Sequence, residues 1–286
     1  MADEIDNATE ADVNIPEAWR TVMLAGRYAA MVIANRLLNV DAEVRSAGDV
    51  VHIPIEPQIS VNDVTKTTGA VTNQALTATK IDLTVDQWRE VSIDVVDMAN
   101  WQANLDLTTT YNASIAKAMA QDVDAKVANE HSNITTNVVG DAGGADALSD
   151  DGLTATIQKL MDLDVPLDDP NATGFYFHTS AWAPLKKLNK FSSAEVTGQA
   201  QGGGLTRKVP DIYGVPTFFT TQIKSSGGAR KNLLLHREAI AWAMQRNFRL
   251  ERFARVRKSQ AISADWLFGI KTCRENFGVV LNTPAS

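Results

Sequence analysis

Leu107, Tyr111, Ile115, Met119, Val123 and Val127 recur every four positions, and no other feature limits the possible fold as tightly. A four-residue recurrence sets all six on one face of an α-helix. Ala116, Ala118 and Ala120 add helix propensity. From Asp106 to about His131 the helix is predicted to be about 39 Å long, at 1.5 Å per residue. The average helix has only about a dozen residues. A rod this long is expected to serve as a spine for the elements around it.

Upstream the period changes to two. After the break Ser46-Ala47-Gly48-Asp49, Val50-Val51-His52-Ile53-Pro54-Ile55 reads as a strand, with Pro54 favouring a sheet edge. Ile81, Leu83 and Val85 alternate with Asp82, Thr84 and Asp86, and Val91, Ile93 and Val95 alternate with Ser92 and Asp94. Both are half-buried strands. Between them, residues 56–80 are poor in large apolar groups and hold Thr65, Thr67, Thr68, Thr72, Thr77 and Thr79. Such a segment suits extended chain but supplies little core. It is expected to leave the body as a long excursion, and loops of this length usually have a function. Further upstream, residues 1–13 are acidic and aperiodic, which predicts disorder. A helix is expected after Pro16, with Trp19, Met23, Gly26, Ala30, Ile33 and Leu37 on one face. It is either a surface helix of its own domain or an arm that docks on a neighbour.

Residues 139–152, VGDAGGADALSDDG, mark a boundary. A helix is predicted from about Asp151 to Leu163, with Leu153, Ile157 and Leu160 inward, ending before Pro166. Gly174-Phe175-Tyr176-Phe177-His178 reads as a buried strand, and Ser180 as the cap of a helix bearing Trp182, Leu185 and Leu188. Residues 192–206 and 224–230 are rich in Gly and Ser and are expected to be mobile until ordered at a symmetry axis. Val215–Phe219, Leu233–Leu235, Phe248/Leu250 and Val279–Leu281 read as further strands. The class is α+β, without regular βαβ alternation.

Catalytic and metal-binding signatures are missing from the sequence. His52, His131, His178 and His236 have no metal-ligand spacing to another His, Cys or carboxylate, and read as structural. There is no nucleophile elbow, phosphate loop or dinucleotide fingerprint. Cys273 is the single cysteine, so no disulfide forms within the chain, which fits a reducing compartment such as a bacterial cytoplasm. Lys271 and Arg274 flank it and could lower its pKa, but no base accompanies it. No apolar run reaches the roughly 18–20 residues of a membrane span, and the acidic start does not read as a signal peptide. The net charge of −7 fits a protein that contains DNA better than one that grips it. Charge is also uneven: residues 141–169 hold eight Asp and one Lys, while residues 230–258 hold nine Lys or Arg and two Glu. The two runs are either solvated faces or complementary patches that meet within or between subunits.

Several short strings stand in a telling order: Gly48-Asp49-Val50-Val51-His52-Ile53-Pro54, Phe175-Tyr176-Phe177-His178, Asp211-Ile212-Tyr213-Gly214-Val215-Pro216 and His236-Arg237-Glu238-Ala239-Ile240. With the long helix among them, the chain from about residue 14 to 282 resembles the major capsid (coat) proteins of tailed bacteriophages. The resemblance implies the α+β tailed-phage major capsid fold. Residues 1–47 would be the N-terminal arm and 48–95 the extended loop, a two-stranded flap. Residues 96–139 would be the peripheral domain with its spine helix, 140–260 the axial domain, and 261–286 C-terminal strands returning to the peripheral domain. It also implies a structural protein, not an enzyme, with no cofactor or metal. Copies would assemble through hexamers and pentamers into an icosahedral shell around double-stranded DNA, without sequence-specific binding or contact with a membrane. Portal, decoration and separate scaffolding proteins are further implied partners, and the virion, built in the bacterial host cytoplasm, is the implied location.

The subunit-interface candidates are Trp19, Met23, Lys66, Lys80, Arg246, Arg249, Arg252 and Arg255. Some family members crosslink a loop Lys to a neighbour's Asn; Lys66 or Lys80 with Asn276 or Asn282 would be the counterparts here. An encapsulin-type nanocompartment shell is the alternative. A phage tail or connector component and an α+β enzyme are more distant ones.

Overall fold

The computed structural model describes residues 4–5, 31–47, 50–55, 59, 61–64, 69, 79–96, 107–144, 146, 148–167, 169, 171–188, 211–255 and 259–285. The strands are β1 (Glu4–Ile5), β2 (Leu38–Asn39), β3 (Val50–Ile55), β4 (Thr79–Thr84), β5 (Gln87–Val96), β6 (Val138–Val139), β7 (Thr173–His178), β8 (Thr217–Thr220), β9 (Ser225–Ser226), β10 (Ala229–His236), β11 (Ile240–Arg255), β12 (Ser259–Thr272) and β13 (Gly278–Pro284). The α-helices are α1 (Asp41–Ala47), α2 (Leu107–Asn129), α3 (Asp150–Met161) and α4 (Trp182–Lys187). One sheet has the order β1-β5-β12-β11-β2, a second has β6-β13-β10-β7-β8 with β9 beside β10, and β3 pairs with β4 alone.

The second sheet is covered on both faces, and its central strands therefore read as continuous apolar runs. Alternation divides them. Tyr176, Leu233, Leu235 and Val280 face one core. Phe175, Phe177, Leu234, Val279 and Leu281 face another, closed by Leu153, Ile157 and Leu160 of α3 and Leu185 of α4. The first core is shared between the sheets. Ile115, Met119, Val123 and Val127 of α2 meet Trp242, Met244, Ala264, Trp266 and Phe268 of the β1-to-β2 sheet there. The helix thus shows the predicted four-residue seam; the side chains of Leu107 and Tyr111 lie outside the described residues. On the far face of β11, Ala241 and Ala243 pack with Val40 and Val44 and with Val51 and Leu83 of the β3–β4 hairpin. The chain passes between the two sheets at Arg237–Ala239, at Cys273–Phe277 and, between β5 and β6, through the long helix itself.

Three local expectations are corrected. The helix read as far as Leu37 is absent from its described part, residues 31–37, the rest lying outside the described residues; Ile33 and Leu37 are buried, but the chain there makes a bend and a short 3-10 turn at Ala34–Arg36. Helix α1 follows instead, opened by the Asp41 N–H donating to Asn39 Oδ1 at 2.9 Å. The cap expected from Ser180 comes from His178, whose Nδ1 accepts the Ser180 N–H at 3.1 Å, and Trp182 points outward with 40% of its surface exposed. Residues 224–230 form a tight hairpin, with Ser226 opposite Ala229. Gly227 and Gly228 have φ of 62° and 86°, as a two-residue primed turn requires.

Sheet membership departs from the expected boundaries in two places. β11 pairs along its length with β12, so the Arg-rich run lies in the β1-to-β2 sheet rather than with residues 140–236. β13 lies between β6 and β10, so residues 278–284 join the sheet of β7 and β10 rather than that of β12.

Glu275 fastens the end of the long helix's C-terminal extension to the start of β13. Its Oε1 accepts the backbone N–H of Thr135 at 2.7 Å and of Thr136 at 2.9 Å, and both hydroxyls at 2.9 and 3.0 Å. The backbone N–H groups of Thr136 and Thr135, with the hydroxyls, hold this carboxyl at about 2, below its ordinary 4.5. A depressed folded-state value contributes stability above the unfolded value that is lost as pH falls through the folded one. The Glu275 contribution is therefore expected to be complete above pH 4.5 and to vanish toward pH 2. Glu275→Gln should flatten the urea midpoint over that interval; a slope equal to wild type would refute the assignment.

Candidate interaction surfaces

No cluster of three or more His, Cys, Asp or Glu able to hold a metal occurs among the described residues. No described helix is long and apolar enough to cross a membrane. The histidines have local partners. His178 caps a turn, and His236 accepts the Glu238 N–H through Nδ1 at 3.3 Å and meets Phe277 edge to face. Burial lowers the pKa of both. Burial raises that of the Cys273 thiol, outweighing Arg274 and Lys271. His52 of β3 lies 2.6 Å from Asp82 directly across the hairpin, on its exposed side.

A half-open pocket of about 210 Å³ lies beside α2, with Val32, Lys117, Asp124, Phe219 and Gln222 among its walls. Ligand pockets usually occupy roughly 300–1,000 Å³. Its one deeply buried carboxylate is committed to backbone. Asp124 Oδ2 accepts the Val32 N–H at 2.7 Å, and Oδ1 accepts those of Ile33 and Ala34 at 3.2 and 3.1 Å. Burial pushes this carboxyl above the ordinary range, against the pull of the three N–H groups. The site's product is mechanical: it holds residues 32–34 on the long helix. It also accounts for the bend at Val32 and Ile33, whose N–H groups point to a carboxylate on another element.

The notable bare surface is apolar. Ile59, Val61 and Val64, at the far end of the β3–β4 hairpin, are 69%, 98% and 56% exposed, and Trp88 is 71% exposed. The expected core-poor excursion is thus open to solvent wherever it is described. Of the interface candidates, Trp19, Met23 and Lys66 lie outside the described residues. Lys80 sits on the exposed hairpin face, 3.5 Å from Asp82. Arg246 pairs within the subunit, 2.8 Å from Asp265 on β12. Arg249, Arg252 and Arg255 lie in register with Asp265, Ile262 and Ser259, and their side chains are outside the described residues. Sequence reasoning missed Trp88. It occupies an outward position of an alternating strand, and its neighbours there, Glu90 and Ser92, are polar.

Two sheets on one long helix, with a hairpin projecting from the side, make the α+β fold of tailed-phage capsid subunits. The chain is similar in structure to one from Mycobacterium phage Che8, at 21% identity, TM-score 0.73, and coverage of 88% of this chain and 91% of that one. It is also similar to the capsid of the cyanophage P-SCSP1u (11% identity, TM-score 0.69, 90% and 89% covered) and to the mature capsid of bacteriophage PhiM1 (11% identity, TM-score 0.67, 91% and 88% covered). No family model matches the chain, and no curated protein matches it.

Proposed function

We propose that this chain is the major capsid protein of a tailed phage. Copies assemble through hexamers and pentamers into an icosahedral shell enclosing double-stranded DNA, and the protein ends in the virion after assembly in the host cytoplasm. The observation that carries this reading is coverage in both directions: nine-tenths of the chain overlays about nine-tenths of phage capsid chains. In this reading residues 1–47 act as the arm, 48–95 as the flap over a neighbour, α2 as the spine, and the sheet carrying α3 and α4 as the axial part. Summed weak contacts, repeated by symmetry, give the shell its stability.

Negative-stain images of the purified, concentrated protein are expected to show closed particles of uniform size. Open tubes or rings would point to a tail or connector component, and a monomer at every concentration would overturn the reading. Nuclease-protected DNA inside native particles distinguishes a capsid from an encapsulin, which holds protein cargo.

The basic run on β11 is proposed to meet the Asp-rich 141–169 segment of a neighbour. Arg246 is engaged with Asp265, so Arg252 and Arg255 are the informative positions. An exposed pair contributes about 0–1 kcal/mol, repeated around a ring. Raising salt from 0.1 to 1 M shortens the Debye length from ~10 Å to ~3 Å, and particle yield should fall with it. The double variant Arg252→Glu/Arg255→Glu should assemble poorly while its circular dichroism matches wild type. Equal yield at all salt concentrations would remove these arginines from the interface.

A further inference from the structure

Two apolar surfaces are bare at opposite ends of the β3–β4 hairpin. The hairpin pairs from Val50 with Thr84 to Ile55 with Thr79. Those five steps span about 17 Å at roughly 3.4 Å per residue. Beyond the far end stand Ile59, Val61 and Val64; just past the near end stands Trp88. Val61 is almost wholly solvent-exposed, so its side chain does not pack on the Trp88 of its own chain.

The setting of Trp88 is that of a receiver. It pairs in register with Leu267, and Leu267 with Arg246. Leu267 packs at the margin of the core beneath the hairpin, and Trp88 continues that apolar surface into the open. Polar groups hold the rim. The indole Nε1 donates to Asp265 Oδ2 at 3.4 Å, Arg246 Nη1 lies 2.8 Å from the same oxygen, and the Ser263 hydroxyl donates to Glu90 Oε1 at 2.9 Å. A large aromatic ring inside a polar rim has the composition of a binding hot spot.

We infer that Ile59, Val61 and Val64 of one copy seat on the Trp88 face of the next copy. The inference rests on the shell reading and deepens it by naming the surface that receives the hairpin tip. Donor and receiver are different patches of one chain, so the contact is heterologous. Repeated, such a contact closes into a ring or runs on as a filament. The capsid of a native GTA particle, similar to this chain over its whole length at 10% identity with a TM-score of 0.63, was computed with five-fold symmetry. Ring closure is therefore the expected outcome here.

Cysteine pairs test the contact, because Cys273 is buried with a raised thiol pKa and stays out of the reaction. The pair Val61→Cys/Glu90→Cys leaves Trp88 in place, and Val64→Cys/Ser92→Cys samples a second geometry. After treatment of assembled protein with a short bismaleimide, both pairs should give ladders of covalent multimers on denaturing gels, while each single variant gives none. Trp88→Ala, with unchanged circular dichroism, should lower particle yield at least tenfold. Particles that give no ladder with either pair, and a Trp88→Ala variant assembling at wild-type yield, overturn the contact and leave the shell reading standing. A wild type that stays monomeric overturns both.

Discussion

Replacing Asp124 by alanine is expected to destabilise the folded subunit by about 3 kcal/mol and to release residues 32–34 from α2. Its carboxylate accepts three successive backbone N–H groups. A buried donor without a partner costs about 1–3 kcal/mol, and relief from burying the carboxylate charge offsets part of that. Asparagine keeps the shape and one acceptor oxygen, so Asp124→Asn should fall between alanine and wild type. Urea midpoints give the energies, and amide exchange at Val32, Ile33 and Ala34 gives the location. Unchanged protection at those three amides in the alanine variant would show that another group holds the segment.

The second large effect is expected at Gly269 of β12. A Cβ there would lie 2.3 Å from the Thr84 carbonyl oxygen and 3.0 Å from the Val85 Cα, where the chain crosses from β4 to β5. Both are backbone atoms, so no side chain can swing away. Overpacking of this kind costs typically 1–3 kcal/mol and sometimes more, and Gly269→Val should reach about 3 kcal/mol. Gly269→Ala should be smaller but still displace the crossing. The damage should appear first as faster amide exchange in β4 and the first residues of β5, ahead of the core around α2. A valine variant as stable as wild type would mean that β12 and the crossing are not in contact in solution.

Much of this architecture was legible from periodicity. The four-residue seam of α2, the alternation in β4 and β5, and the apolar runs in β7, β10 and β13 each reflect a local rule about which side of an element meets the core. Asp94 breaks the alternation in β5, being buried at an outward position. What could not be read depends on partners far along the chain. Ile33 and Leu37 stand at helical spacing and are buried as a helix face would be, but Asp124, ninety residues away in sequence, takes the N–H groups the helix needed. Nothing near β11 or β13 tells which sheet each enters, because register is fixed by strands from the other end of the chain. Trp88 was hidden for a different reason: an outward tryptophan on an alternating strand has no local signature that separates it from a surface residue. The order of short motifs carried the fold further than periodicity did, since order records long-range topology that no single window contains.

The placement of β12 and β13 has a consequence in time. Both lie inside their sheets, β12 between β5 and β11 and β13 between β6 and β10, and synthesis reaches them after every other strand. Until then β5 and β10 each lack a neighbour, and neither sheet can close. Pairings as distant in sequence as Trp88 with Leu267 give a high contact order, which places folding toward the slow, millisecond-to-second end. During that interval the growing chain carries open apolar edges that invite wrong partners. A chain halted before Gly278 lacks the strand that joins β6 to β10, so the sheet beside α3 stays in two pieces.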